Sequence, residues 1–184
     1  MTTRVALITG GASGMGLATA QRLAATGVWT LHLVDLNQEA GDAAVKALSA
    51  SGASAHFHAV NVTSYESLSG AFEAVFKAEG RLDFVFANAG IVERHSFYEI
   101  PKTEGAAPPP PPNLLTLDIN LNAVVTTAYL ALHYFRQSPH KGQDASLVMT
   151  ASCGGLVRFF LLRQLQISHV LESPFTNSTQ PSVS

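Results

Sequence analysis

Thr9-Gly10-Gly11-Ala12-Ser13-Gly14-Met15-Gly16 joins the apolar run Val5-Ala6-Leu7-Ile8 to a helical pattern that opens with Leu17-Ala18-Thr19-Ala20. A short buried strand, a tight glycine turn and a helix N-terminus in that order form a place for a diphosphate. Gly10 and Gly14 let the backbone turn and approach a ligand, and Gly16 lets the helix pack close to the strand. Ser13 and Met15 complete the turn, and the free N–H groups and positive dipole end of the helix favour an anion.

The next segment supports a nucleotide. After Thr26-Gly27 a second apolar run, Trp29 to Val34, ends in Asp35-Leu36, with Asp35 nineteen residues beyond Gly16. In a βαβ unit a carboxylate here accepts hydrogen bonds from the adenosine ribose hydroxyls. Asp35 would repel a 2′-phosphate, and no Arg or Lys in the turn or just after Asp35 welcomes one. The expected cofactor is NAD rather than NADP. The plainer alternative for Asp35 is a solvated strand-end acid, or an N-cap for the helix beginning near Gln38.

Composition narrows the class. A chain of 184 residues suits one domain, and 47% apolar with 13% charged residues describes a well-buried globular protein. A net charge of −2, with basic residues scattered, gives no reason to expect nucleic acid or an anionic membrane. No uninterrupted apolar span approaches the ~20 residues that cross a bilayer. The single cysteine, Cys153, fits a reducing compartment, and the expected location is cytoplasmic.

Strand and helix patterns alternate, which predicts an α/β domain with a parallel sheet. Strands are expected at Arg4–Thr9, Trp29–Asp35, Ala55–Val60, Arg81–Ala87 and Ala145–Thr150. Helices are expected over Ser13–Thr26, Gln38–Ser51 (buried face Ala43, Ala44, Ala47, Leu48) and Tyr65–Glu79 (Leu68, Phe72, Val75, Phe76). The last long helix is expected over Leu114–Gln137, with Leu117, Leu121, Val125, Ala128, Leu132 and Phe135 buried. His56 and His58 alternate as solvent-side residues of their strand and are not expected to bind metal. Pro108 to Pro112 are five consecutive prolines, expected to form a stiff polyproline II loop or, alternatively, a ligand for an aromatic-lined groove. Leu156 to Glu172 could form one more amphipathic helix, and Ser173 to Ser184 a frayed tail.

These landmarks resemble the short-chain dehydrogenase/reductases. Thr9 to Gly16 matches that family's TGxxxGxG motif, and Ala87-Asn88-Ala89-Gly90 its NNAG. Asn61-Val62 stands where the family has an acidic-Val pair on the adenine side, so an amide would make a weaker hydrogen bond to the adenine amino group. Asn120, in Asp118-Ile119-Asn120-Leu121, falls on the family's helix asparagine, and Ser152, in Thr150 to Gly155, on its catalytic serine. The likeness covers residues 4–155 and is greatest to NAD-dependent members acting on alcohols and ketones, such as the 15-hydroxyprostaglandin dehydrogenase-like group. It implies a Rossmann-type doubly wound parallel sheet, an NAD site at residues 10, 13–16, 35, 36, 61, 62 and 88–90, and hydride transfer between nicotinamide and a carbinol carbon. Ser152 would hold the substrate oxygen and Asn120 a water of the proton relay.

The family's proton donor is a Tyr-x-x-x-Lys segment after the serine, where this chain reads Phe159-Phe160-Leu161-Leu162-Arg163. No tyrosine follows Tyr134 and no lysine follows Lys141. Tyr98-Glu99-Ile100-Pro101-Lys102 matches the spacing, but it precedes Ser152 and contains a helix-breaking proline, so it is expected to be a chance match. The expectation is an NAD-binding domain over 1–155, truncated after its fifth strand, with an atypical tail over 156–184 arising from a frameshift or retained intron. The fifth strand would then be an exposed edge favouring low stability or aggregation. The expected activity is that of an alcohol/ketone oxidoreductase that is catalytically incomplete, with any homo-oligomer weakened. The alternatives are a non-catalytic NAD-binding or proline-run interaction module, and an unstable product.

Overall fold

The computed structural model describes residues 3–93 and 108–152. Two compact units divide the chain: residues 1–91 with 114–150, and residues 92–113 with 151–184. The first is an α/β unit with the strands β1 (Arg4–Thr9), β2 (Trp29–Asp35), β3 (Ser54–Ala59), β4 (Phe84–Ala87) and β5 (Ser146–Met149). They form one parallel sheet in the order β3-β2-β1-β4-β5. The helices are α1 (Gly14–Ala24), α2 (Gln38–Ala50), α3 (Tyr65–Glu79) and α4 (Leu115–Gln137).

β1 is apolar without alternation because both of its faces are covered. Val5 and Leu7 pack with Leu68, Phe72 and Val75 of α3 and with Leu130 and Phe135 of α4. Ala6 and Ile8 face the other way, joining Leu31 and Leu33 of β2, Ala20 of α1, and Ala44 and Leu48 of α2. Each fully buried Leu or Phe contributes about 1.5–3 kcal/mol relative to exposure. At the start of β1, buried Asp83 accepts the Val5 N–H at 2.8 Å and holds the Arg81 guanidinium at 2.8 and 2.6 Å. This ties β1 to β4 at the sheet end opposite the glycine turn.

Two expected faces are corrected. Ala43 and Ala47 of α2 are exposed, and the buried stripe is Gly41, Ala44 and Leu48. Its phase is set by Gly41, where a side chain would run into the Phe57 ring. In α4 the expected stripe is partly inverted: Leu121, Val125 and Leu132 are exposed, while Ala123, Thr127, Leu130, Ala131 and Phe135 are buried. Asp118–Asn122 is a π-helical turn, and the residue it adds rotates everything beyond it relative to Leu117.

An 18-residue window of α4 has a mean hydropathy of 1.3, so by length and composition alone this helix could cross a bilayer, but Asp118, Asn120 and Asn122 interrupt its apolar run and one face is spent on the core. Strand and helix bounds otherwise fall within a few residues of expectation. β5 is an edge among the described strands, with Val148 and Met149 exposed.

Of the second unit, Val92, Glu93, residues 108–113, Ala151 and Ser152 are described. They lie outside helix and strand, and Pro108 to Asn113 are all exposed. The expected segments at Leu156–Glu172 and Ser173–Ser184, the Tyr98–Lys102 match and Cys153 lie outside the described residues.

Candidate active site

β1 stops at Thr9 because Gly10 turns at φ 64° and Gly14 at φ 51°, both in the left-handed region where a side chain is strained. A Cβ on Gly16 would collide with the Gly10 carbonyl oxygen, and one on Gly10 would sit 3.0 Å from Asn88 Nδ2. The turn is thus closed down to bare backbone. α1 follows with Ser13 as its extended N-cap residue (φ −153°, ψ 176°), with no hydrogen bond from the Ser13 side chain and no acid in the first turn. Its donors and its positive dipole end are therefore left for an anion. Met15 and Leu36, 62% and 73% exposed, flank the turn as open apolar surface.

Asp35 stands at the end of β2 against this turn. Its Oδ2 accepts the Ala12 N–H and its Oδ1 the Asn37 N–H, each at 3.2 Å. The N-cap of α2 is Asn37, whose side chain accepts the Ala40 N–H at 3.0 Å, so the N-cap alternative for Asp35 is set aside. Two weak, partly exposed bonds fix the carboxylate while leaving it acceptor capacity.

β4 brings the third component. Thr9 Oγ1 accepts the N–H groups of Asn88 (3.0 Å) and Ala89 (3.2 Å) and donates to the Phe86 carbonyl (3.3 Å). The Asn88 amide nitrogen donates to the carbonyls of Thr9 and Gly10, while its oxygen accepts from Thr150 Oγ1 at 3.0 Å. Asn88 therefore connects the glycine turn to the end of β5. Neither Thr9 nor Thr150 was singled out in the sequence as a site residue. Their signal is positional, since each is the hydroxyl residue ending or following a strand beside Asn88.

Asn120 lies in the π-helical turn of α4. Its Oδ1 accepts the Ile91 N–H at 2.9 Å and its Nδ2 donates to the Ile91 carbonyl at 2.8 Å. This reciprocal pair holds the chain just after Gly90, whose absent side chain leaves room 3.4 Å from Asn120 Oδ1. Asn61 is exposed, and its Oδ1 already accepts both the N–H and the hydroxyl of Thr63, at 3.1 and 2.8 Å. The oxygen expected to receive an adenine amino hydrogen is thus occupied by its own turn. Val62 is half-buried against the α3/α4 core. Ser152 belongs to the second unit, beyond β5, and is exposed.

The first unit therefore brings Gly10, Ser13, Gly14, Met15 and Gly16 together with Asp35, Asn88 and Ala89, and pairs Gly90 with Asn120. A cradle of bare backbone, an uncapped helix start and a tethered carboxylate fit a phosphate-linked nucleotide with free ribose hydroxyls. A cavity of about 550 Å³ lies elsewhere, between α2, β3 and α3, and includes His32, His56 and His58.

The chain matches the family model described as short chain dehydrogenase over residues 4–163. The short-chain dehydrogenase/reductase prx7 of Penicillium rubens is 49% identical over 149 residues, covering 79% of this chain and 51% of the relative. The 5'-hydroxyaverantin dehydrogenase of Dothistroma septosporum is 36% identical over 165 residues, covering 83% and 53%. Among solved structures, levodione reductase is similar with a TM-score of 0.74 at 27% identity, over 94% of this chain and 63% of that one. NAD+-bound xylitol dehydrogenase has a TM-score of 0.70 at 26% identity, over 93% and 60%. The chain spans about half the length of these two curated relatives.

Proposed function

Because the chain belongs to the short-chain dehydrogenase/reductase family, we propose that it binds NAD(H) at the Thr9–Gly16 turn as part of an oxidoreductase of alcohols and ketones. The observation that carries this reading is Asp35, tethered to the turn through the Ala12 N–H. Its remaining lone pairs receive the adenosine ribose hydroxyls, and its charge disfavours a 2′-phosphate. The N–H groups at the start of α1, with Ser13, hold the diphosphate. Gly10, Gly14 and Gly16 keep that surface free of side chains, Met15, Leu36, Asn61 and Val62 border the nucleotide, and Asn88 to Gly90 form its floor. The bound cofactor supplies a hydride acceptor or donor.

Asn120 positions a water and Ser152 the substrate oxygen, roles that rest on the family resemblance. About a dozen residues after Ser152, where the family places its tyrosine, the sequence reads Phe159-Phe160-Leu161-Leu162-Arg163-Gln164-Leu165, so this segment supplies no proton donor for the carbinol oxygen, and these 184 residues bind cofactor without completing catalysis. The 15-hydroxyprostaglandin dehydrogenase-like affinity, the boundary near residue 155, a cytoplasmic location and a weakened homo-oligomer belong to the same reading. The test is calorimetric titration of the purified chain with NAD and with NADP. The expected result is saturable NAD binding, at least about tenfold weaker NADP binding, and a cooperative thermal transition raised by NAD. Equal affinity for the two would overturn the assignment of Asp35, and secondary-alcohol oxidation at rates typical of relatives would overturn the catalytic part.

A second reading makes the chain an interaction module, and the observation favouring it is the exposure of all five prolines from Pro108 to Pro112. Pull-downs that do not change when these are replaced by Gly-Ser remove it.

A further inference from the structure

Asn88 stands one residue beyond the end of β4 and Thr150 one residue beyond the end of β5. The pairing of the two strands runs on past these ends, because the Thr150 N–H donates to the Ala87 carbonyl at 3.0 Å. The Asn88 backbone is held from the other side, its N–H and that of Ala89 both donating to Thr9 Oγ1. With both backbones fixed, the two side chains meet. Thr150 Oγ1 donates to Asn88 Oδ1 at 3.0 Å, and Asn88 Nδ2 donates to the carbonyls of Thr9 and Gly10 at 3.3 and 3.4 Å.

Of these three side-chain bonds only the one from Thr150 falls within the ordinary range, about 2.5–3.0 Å for an O–H donor and about 2.7–3.2 Å for an N–H donor. The amide is gripped best at its outer end and leans on the turn with its inner end. That inner end is a wall of the cradle, since Asn88 Nδ2 lies 3.0 Å from the place of a Cβ on Gly10 and 3.0 Å from that of a Cβ on Gly16. Donation into Oδ1 polarises the amide and strengthens both of its N–H donors. The Gly10 carbonyl so engaged is kept from facing the cradle, where its oxygen would repel a diphosphate.

We propose that Thr150 is a positioning residue for the cofactor, its hydroxyl holding the Asn88 amide against Gly10 and Gly16 so that the turn keeps the shape a diphosphate needs. This role presupposes that Thr9–Gly16 is the NAD site, and it brings the end of β5 into cofactor binding. The hydroxyl is what the position requires. Valine has the shape of threonine without the donor, and serine has the donor without the methyl group.

The test is calorimetric titration of the full chain with NAD, comparing T150V, T150S, N88A and the double variant N88A/T150V with the unsubstituted chain. T150V should weaken NAD binding by ~2–10-fold, the value of one ordinary hydrogen bond. Thr150 is exposed, so water takes the place of its hydroxyl on Asn88 Oδ1 and the melting temperature without NAD should move by less than about 2 °C. T150S should bind NAD as the unsubstituted chain does. N88A should lose more than T150V, and adding T150V to N88A should cost nothing further, because a residue that acts through Asn88 then has nothing to act on. In the nitrogen–proton spectrum of the chain without NAD, the Asn88 side-chain NH2 signals should shift in T150V and stay in place in T150S. T126V, which removes an exposed α4 hydroxyl bonded to the Asn122 carbonyl, leaves NAD affinity unchanged. An unsubstituted chain that binds no NAD overturns the cofactor reading and this role with it. A chain that binds NAD is left with its cofactor site but without this role for Thr150 if T150V binds equally well, if T150S binds as weakly as T150V, or if the losses of T150V and N88A multiply. Should N88A lose its cooperative melt, T150V, T150S and the Asn88 amide signals decide.

Discussion

The starts of α2 and α3 differ from the start of α1. Asn37 accepts the Ala40 N–H at 3.0 Å and Ser64 accepts the Ser67 N–H at 3.2 Å, with Glu39 and Glu66 in the respective first turns. Those two helices satisfy their own first donors and complement their own dipoles. α1 does neither, although Ser13 stands at its N-cap. Its chain is instead closed against Asn88 and tethered through Ala12 to Asp35. A capped start is complete in itself, whereas an uncapped start over bare glycine is complete only with an anion in place.

The largest way to break this contrast is to fill the cradle. Gly16→Val places side-chain carbon against the Gly10 carbonyl and near Asn88 Nδ2. It should abolish measurable NAD binding by calorimetry and cost about 1–3 kcal/mol of stability through overpacking. Unchanged binding would mean that the turn is not the diphosphate site. Next in size is Asp35→Ala, which removes a charged acceptor. A hydrogen bond to a charged group contributes roughly 1.5–3 kcal/mol, so NAD affinity should fall by ~10–100-fold and the preference over NADP should narrow. A loss shared equally by NAD and NADP would reduce Asp35 to a structural tether of the turn.

Ser64→Ala tests the capped side. It leaves the Ser67 N–H without its side-chain partner and should cost about 1 kcal/mol, lowering the melting temperature by ~2–4 °C for a domain of this size. NAD affinity should not change, because α3 does not border the turn.

The glycine turn, the place of Asp35 at the end of β2 and the succession of strands and helices are local statements in the sequence, and the structure has each of them. β1 and β2 are largely apolar without alternation because helices cover both faces, so their runs needed no knowledge of neighbours to be read. What was not legible depends on phase or on register. The π-turn at Asp118–Asn122 rotates α4 beyond it, so a stripe extrapolated from Leu117 arrives at exposed Val125 and Leu132. His32 looked like one polar residue in an apolar strand, and its meaning comes from pairing with His56 across β2 and β3. Asn61 stands with an amide where the resemblance expects an acid, but Thr63 uses its oxygen, and side-chain satisfaction of that kind is set by the turn's geometry.

Ser13→Ala should have the smallest effect and is the sharpest comparison with Ser64→Ala. The two serines occupy the same N-cap position, yet only Ser64 uses its hydroxyl on its own helix. Removing the Ser13 hydroxyl takes no hydrogen bond from the folded chain, so the melting temperature without ligand should stay within about 1 °C, a change below ~0.5 kcal/mol for an exposed side chain. If that hydroxyl is reserved for the diphosphate, NAD affinity should still fall by ~2–10-fold, the value of one ordinary hydrogen bond of about 0.5–1.5 kcal/mol. The two substitutions then separate cleanly, one moving stability and not affinity, the other affinity and not stability. A Ser13→Ala chain that melts as early as Ser64→Ala would show Ser13 to be a working cap in solution, and α1 would join α2 and α3 as a self-sufficient helix.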